Sequence, residues 1–121
     1  MEIDEQIAVV DWCDAKSIPI WHNVNEGKRS YAMGRKLVRA GLRRGVPDLQ
    51  IPLARGASHG LFIEMKYGRN KTTPEQDYWL GLLSKNGYAV KVAYTAGEAI
   101  KSISRYLALG ERKYGKQERN T

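Results

Sequence analysis

The chain has 121 residues, 42% hydrophobic and 27% charged, which suits a single domain with a modest core; no break in composition marks a second one. Lys and Arg outnumber Asp and Glu by 20 to 13, and the net charge of +7 points to a polyanionic partner, nucleic acid before an acidic membrane surface, rather than a small neutral ligand. No apolar run approaches the roughly 18 residues that span a bilayer, Met1 to Glu5 has nothing of a signal peptide, and the lone Cys13 excludes an internal disulfide and a thiolate zinc site, so the chain reads as soluble and cytoplasmic.

Residues 2 to about 16 predict a helix whose apolar stripe is Ile3, Ile7 and Val10, recurring at spacings of four and three. Cys13, at helical spacing from Val9 and Val10, reads as a small core residue. Glu2, Asp4 and Glu5 suit the positive end of the helix dipole, and Glu2 and Gln6 lie one turn apart along the edge of the stripe. Ile20 to Val24 then reads as a short strand, followed by a polar loop. The only two histidines are His22 and His59; His22-Asn23 lacks the further ligands of a histidine-metal nuclease, so His22 reads as a strand residue or a phosphate contact.

Between Lys28 and Arg44 stand Lys28, Arg29, Arg35, Lys36, Arg39, Arg43 and Arg44, with no acid among them. Residues 30 to 41 predict a helix packed on the core through Met33, Leu37 and Ala40, with Arg35, Lys36 and Arg39 turned outward. A charged helix face is usually just solvated, but a run this one-signed, with Ser30 within it, immediately before Gly45-Val46-Pro47-Asp48 is better explained by phosphates. Leu49 to Leu53 reads as a strand, residues 54 to 60 as the return turn, and Leu61 to Tyr67 as its partner.

Thr73-Pro74-Glu75-Gln76 opens the next helix, with Thr73 as N-cap, Pro74 at the first helical position and Gln76 completing a capping box. Tyr78, Trp79, Leu82 and Leu83 supply its apolar face and Asn86-Gly87 ends it. Tyr88 to Tyr94 reads as a strand. Thr95 to Glu98 forms a second capping box, opening a last helix that carries Ile100, Ile103, Tyr106 and Leu107. The domain is expected to occupy residues 1–109, with a polar, basic, frayed tail over 110–121.

Chemistry concentrates in Gly45-Val46-Pro47-Asp48-Leu49 and Gly60-Leu61-Phe62-Ile63-Glu64-Met65-Lys66. Alternation along a strand turns Glu64 and Lys66 to one face and Ile63 and Met65 to the other, and a hairpin of the right register brings Asp48 beside them. Taken singly, Asp48 is a turn acid and Glu64 with Lys66 an ion-paired strand face. Together, two carboxylates and an amine on an apolar strand call for a partner, and a metal ion is one.

Those two motifs, followed by Thr73-Pro74-Glu75-Gln76 and Gly87-Tyr88, resemble the VRR-NUC domain, a branch of the PD-(D/E)xK nuclease superfamily. Asn25-Glu26-Gly27-Lys28-Arg29 resembles the family's Asn-Gly-Gly-Lys-Arg loop, with Glu26 as a departure from glycine. The resemblance implies an α/β fold of restriction-endonuclease type, a mixed central sheet flanked by helices in the order α-β-α-β-β-α-β-α. It implies Mg²⁺ or Mn²⁺ bound by Asp48, Glu64 and the main-chain carbonyl of Met65. Lys66 is then the amine of the Glu-x-Lys motif and Gln76 the glutamine of the following helix. Glu2, with Gln6, fits the family's first-helix Glu-x-x-x-Gln as a further metal-binding acid, with Glu5 as the substitute. The implied activity is that of a structure-selective DNA endonuclease, a homodimer acting on Holliday-junction-like branches. The competing readings are a non-catalytic nucleic-acid-binding module of the same fold and a nuclease of flaps, linear ends or RNA.

Overall fold

The computed structural model describes residues 2–23 and 30–111, and of Glu2 the backbone alone. The elements follow the expected order: α1 (Glu2–Ala15), β1 (Trp21–His22), α2 (Tyr31–Arg39), β2 (Leu49–Ile51), β3 (Leu61–Met65), α3 (Pro74–Lys85), β4 (Ala89–Ala93) and α4 (Ala96–Leu107). The strands form one mixed sheet in the order β1-β2-β3-β4. β1 with β2 and β2 with β3 are antiparallel, while β3 and β4 are parallel and joined through α3, since parallel neighbours need a crossover rather than a tight turn.

β3 is the centre of the sheet, and all five of its residues are buried. Leu61, Ile63 and Met65 face one side with Leu49 and Ile51 of β2, against Val9 and Cys13 of α1 and Ala99, Ile103 and Tyr106 of α4. Each fully buried aliphatic side chain there contributes roughly 1.5–3 kcal/mol. The Tyr106 hydroxyl, enclosed in this layer, donates to the Leu53 carbonyl at 2.6 Å, which removes the cost of burying it bare. Phe62 and Glu64 face the opposite side, where Phe62 meets Tyr88 edge-on at 5.3 Å and α3 packs along β4.

Three helices turn differently from the expected way. α1 buries Gln6, Val9 and Cys13, whereas Ile3 and Ile7 are about half exposed, so its inner stripe is rotated from Ile3-Ile7-Val10. α2 buries nothing at all: Met33 and Ala40 are exposed and Leu37 only half-buried, and the helix lies outside the core instead of packing on it. In α3 the half-buried positions are Gln76, Trp79, Leu80 and Leu83, an i, i+3, i+4, i+7 stripe, while Tyr78 and Leu82 are exposed.

The capping box of α3 holds in full and that of α4 in half. Thr73 and Gln76 form the reciprocal capping box of α3. At α4 the Thr95 hydroxyl accepts from the Glu98 amide, but Glu98 reaches back to the Tyr94 amide rather than to that of Thr95. The Gly56 amide donates to the Gly110 carbonyl at 3.0 Å and Glu111 bridges to Arg55, so residues 110 and 111 are tied to the connection between β2 and β3 instead of fraying. The rest of the expected tail, 112–121, lies outside the described residues.

Candidate active site

The register settles which side chains meet. Leu49 pairs with Ile63 and Gln50 with Phe62, so the next position beyond the end of β2 sets Asp48 directly across from Glu64. Along β3 the odd residues turn their backbone groups toward β2 and the even ones toward β4: the Met65 amide reaches Asp48, and the Lys66 amide reaches the Ala93 carbonyl. Asp48 and Glu64 therefore occupy a non-hydrogen-bonded cross-strand pair, the kind in which facing Cα atoms come within about 4.5 Å and side chains are closest.

Both carboxylates are buried, Asp48 at 5% and Glu64 at 3% relative exposure. Each is met by a protein donor. The Met65 amide donates to Asp48 Oδ2 at 2.8 Å, and Gln76 Nε2 donates to Glu64 Oε2 at 3.0 Å. Gln76 works in two directions, because its Oε1 accepts from the Thr73 amide at 2.9 Å while the Gln76 amide donates to Thr73 Oγ1 at 3.2 Å. The capping box thus pins the amide oxygen at the helix start and leaves the amide nitrogen aimed at Glu64. Lys66 follows two residues after Glu64 on extended backbone, half-buried, on the same face.

Two further residues hold the acids: Asn23, which the sequence did not mark as a site residue, and Gly45, which stood in the Gly45-to-Leu49 motif without a role of its own. Asn23 donates from its backbone amide to the Asp48 carbonyl at 2.7 Å and from Nδ2 to the Pro47 carbonyl at 3.0 Å. It therefore clamps the Pro-Asp step from the β1 side. No periodicity marks Asn23; its role follows only from the pairing of β1 with β2. Gly45 is the other. It has φ +95°, and a Cβ there would fall 2.6 Å from the Glu75 carbonyl carbon and 2.8 Å from the Gln76 amide nitrogen. The loop before Asp48 is thereby pressed onto the first turn of α3, the turn that presents Gln76.

The remaining sequence candidates distribute as follows. Glu2 is the first residue of α1, one turn before the buried Gln6, but its side chain lies outside the described residues. Lys28 and Arg29 lie outside them altogether. Ser30 is the N-cap of α2, its hydroxyl accepting from the Met33 amide at 3.1 Å. Arg35, Lys36 and Arg39 lie on one exposed arc of α2, and Arg44 is exposed beyond it. Arg43 turns back to donate to the Val38 and Leu42 carbonyls, so its guanidinium closes the end of its own helix. His22 pairs with Leu49 and so belongs to the sheet face opposite the carboxylates.

The donor set consists of hard oxygens, the kind that suits Mg²⁺ or Mn²⁺. In a strand a residue's amide and carbonyl share an edge, so the Met65 carbonyl faces β2 as its amide does, on the side of Asp48. Among the described residues no group of three or more His, Cys, Asp or Glu could hold a metal ion. No helix of the described residues is long and apolar enough to cross a membrane.

A family model, the VRR-NUC domain, matches residues 2–97. A solved structure of a VRR_NUC domain protein superposes with a TM-score of 0.80 at 33% sequence identity, covering 91% of this chain and 90% of that one. No curated protein matches the chain. With the paired acids, the Glu-x-Lys strand and the capping glutamine all in the described fold, the chain belongs to the VRR-NUC family and has its nuclease-type fold.

Proposed function

We propose that this protein is a divalent-metal-dependent DNA endonuclease that hydrolyses phosphodiester bonds in branched, Holliday-junction-like DNA, acting in the cytoplasm as a homodimer. The observation that carries the reading is the Asp48–Glu64 pair: two buried carboxylates at a close cross-strand position, each held by a protein donor. Two like charges buried side by side are expensive to keep unless a cation offsets them.

Asp48, Glu64 and the Met65 carbonyl would hold Mg²⁺ or Mn²⁺, with the Glu2 carboxylate as the further acid. When bound, such an ion supplies Lewis acidity and lowers the pKa of its water. The chain's own residues do the rest. Gln76 fixes the orientation of Glu64, and Asn23 and the Met65 amide fix Asp48. Lys66, on the Glu64 face, orients the attacking water or offsets charge developing on the phosphate. Arg35, Lys36, Arg39 and Arg44, with Lys28 and Arg29, hold the backbone of the substrate, which positions a duplex without reading its bases. Arg43 contributes less, its guanidinium being committed to α2. A homodimer would present two such sites to two strands, matching the near symmetry of a four-way branch.

The test compares cleavage of a four-way junction, a flap, a splayed arm and a linear duplex of matched sequence, in Mg²⁺ and in Mn²⁺. Asp48→Ala and Lys66→Ala should abolish cutting while leaving DNA binding in place. Undiminished cutting by either variant removes the mechanism. Binding without cutting by the wild-type protein, with either metal, would favour the non-catalytic module instead.

A further inference from the structure

Asn23 has a second partner. Its Oδ1 accepts from the Trp21 indole Nε1 at 3.0 Å, so the residue that clamps Pro47 and Asp48 also holds an indole ring. Trp21 is 45% exposed, although large aromatic rings usually bury most of their surface. Register fixes where that ring stands. Trp21 pairs with Gln50 and Gln50 with Phe62, which puts Trp21, Gln50 and Phe62 in one row across the sheet. The adjacent row is Asn23, Asp48 and Glu64, on the same face.

Trp21 is thus a diagonal neighbour of Asp48, a separation of about 7–8 Å between Cα atoms in antiparallel pairs. α3 covers this face over β4, at the opposite edge of the sheet from β1. The indole occupies the edge strand, and its only hydrogen-bonding group is tied to Asn23, which restrains the ring while nearly half of the residue's surface stays exposed. An exposed aromatic ring, oriented by a residue that also grips the Pro47–Asp48 backbone, is what a stacking platform for a nucleobase requires.

We infer that Trp21 is a base-stacking subsite: it receives the unpaired base of the nucleotide next to the cleaved phosphodiester. A base inside a continuous duplex is already stacked on its neighbours and cannot lie on the indole. Among branched substrates the subsite therefore favours those whose strand opens at the branch point, so that a base leaves its stack beside the cleaved bond. The inference rests on the nuclease reading above and adds to it a determinant of substrate shape.

The test uses Trp21→Leu and Trp21→Phe on two substrates of matched sequence, a continuous duplex and a splayed arm with unpaired nucleotides at the branch. Loss of one stacked base lowers cleavage efficiency on the splayed arm about tenfold or more in Trp21→Leu; Trp21→Phe, which keeps a π-face, loses less there, while on the continuous duplex the two variants, which both lack the Nε1 bond to Asn23, fall by the same smaller factor. An abasic nucleotide beside the cleaved bond should impose the same loss on the wild type and none on Trp21→Leu. Equal losses on both substrates would mean that Trp21 only supports Asn23, and no loss on either would mean that no base stacks there; both overturn the inference.

A second measurement needs no cleavage. In a Trp12→Phe, Trp79→Phe protein, whose tryptophan emission, excited beyond the tyrosine band, comes from Trp21 alone, a single-stranded oligothymidylate should quench the emission and an abasic oligomer of equal length should not. Quenching without cutting by any form of the protein would sink the nuclease reading and leave the subsite standing. Absence of quenching, or emission that changes with protein concentration instead of with oligonucleotide, would assign the ring to a protein interface and sink the subsite.

Discussion

Replacing Gly45 by alanine tests how closely the loop before Asp48 is pressed onto α3. The substitution acts twice. Gly45 has φ +95°, in the left-handed region, where an L-residue costs roughly 1–2 kcal/mol. Its new Cβ would also stand 2.6 Å from the Glu75 carbonyl carbon, where ordinary contact begins at 3.4 Å, so backbone must retreat by about 0.8 Å. Overpacking of that kind costs about 1–3 kcal/mol. The two together make about 3 kcal/mol, out of a total near 6–18 kcal/mol for a chain of 121 residues. The expected fall in Tm is about 10 °C. Because the displaced turn carries Gln76, its 3.0 Å contact with Glu64 should open as well, and cleavage should drop about tenfold even at a temperature where the protein is fully folded. The control is Gly68→Ala: Gly68 has φ +61°, and an added methyl there would meet nothing within 4 Å, so only the backbone cost of about 1 kcal/mol applies. Thermal unfolding by circular dichroism, with cleavage of a branched substrate at 25 °C, reads both effects. Equal Tm values for the two variants would refute the claim that contact, and not φ alone, makes Gly45 obligatory.

Gln76→Glu keeps a capping side chain but replaces the donor that meets Glu64 with a like charge; helix stability should change little while cleavage falls at least tenfold, and a wild-type rate would show that the Gln76–Glu64 contact is idle. Arg35, Lys36 and Arg39 replaced together by alanine should flatten the slope of log binding constant against log salt by about 2.7 on duplex DNA, and an unchanged slope would remove that arc of α2 from the phosphate interface. Cys13 is buried in the core, and burial, aided by the neighbouring Asp14 carboxylate, pushes its thiol up from 9.0 to about 11. A raised folded-state value means that the associated stability is intact below about pH 9 and is lost as pH rises toward 11, so Cys13→Ala should show a shallower alkaline decline in Tm. The same thiol should resist aqueous thiol reagents at pH 7 until the protein unfolds.

The order of elements, the two capping signals and the Asp48–Glu64 juxtaposition were legible in the sequence because each rests on local chemistry or on strand alternation. The inward faces of α1 and α3 were legible only in part, through Cys13, Trp79 and Leu83, and the reason for the rest is shared. Each inner stripe begins with a glutamine, Gln6 before Val9 and Cys13, and Gln76 before Trp79, Leu80 and Leu83. A search for apolar recurrence skips a polar residue and settles on the next set of apolar side chains, Ile3-Ile7-Val10 or Tyr78-Leu82. In α3 the polar exception is where the helix touches the acid pair. Local rules break at functional positions because the side chain there is chosen for chemistry rather than for burial. α2 failed for the opposite reason: its amphipathic pattern is real, yet the described core offers nothing for its apolar side to cover. The clamp by Asn23 and the contact at Gly45 depend on tertiary register and close approach, which no one-dimensional pattern encodes.

The capping box of α3 sets a limit on how long the site stays assembled. Gln76 closes the first helical turn with one end of its amide and steadies Glu64 with the other, so both contacts share the fate of that turn. Helix ends open locally at far lower free energy than the core unfolds, and none of the residues of α3 is fully buried to resist it. Warming should therefore dismantle the acid pair's support while the sheet is still intact. Amide exchange at Gln76 and Asp77 should quicken, and catalytic rate should level off, at temperatures where the far-ultraviolet spectrum remains that of the native fold.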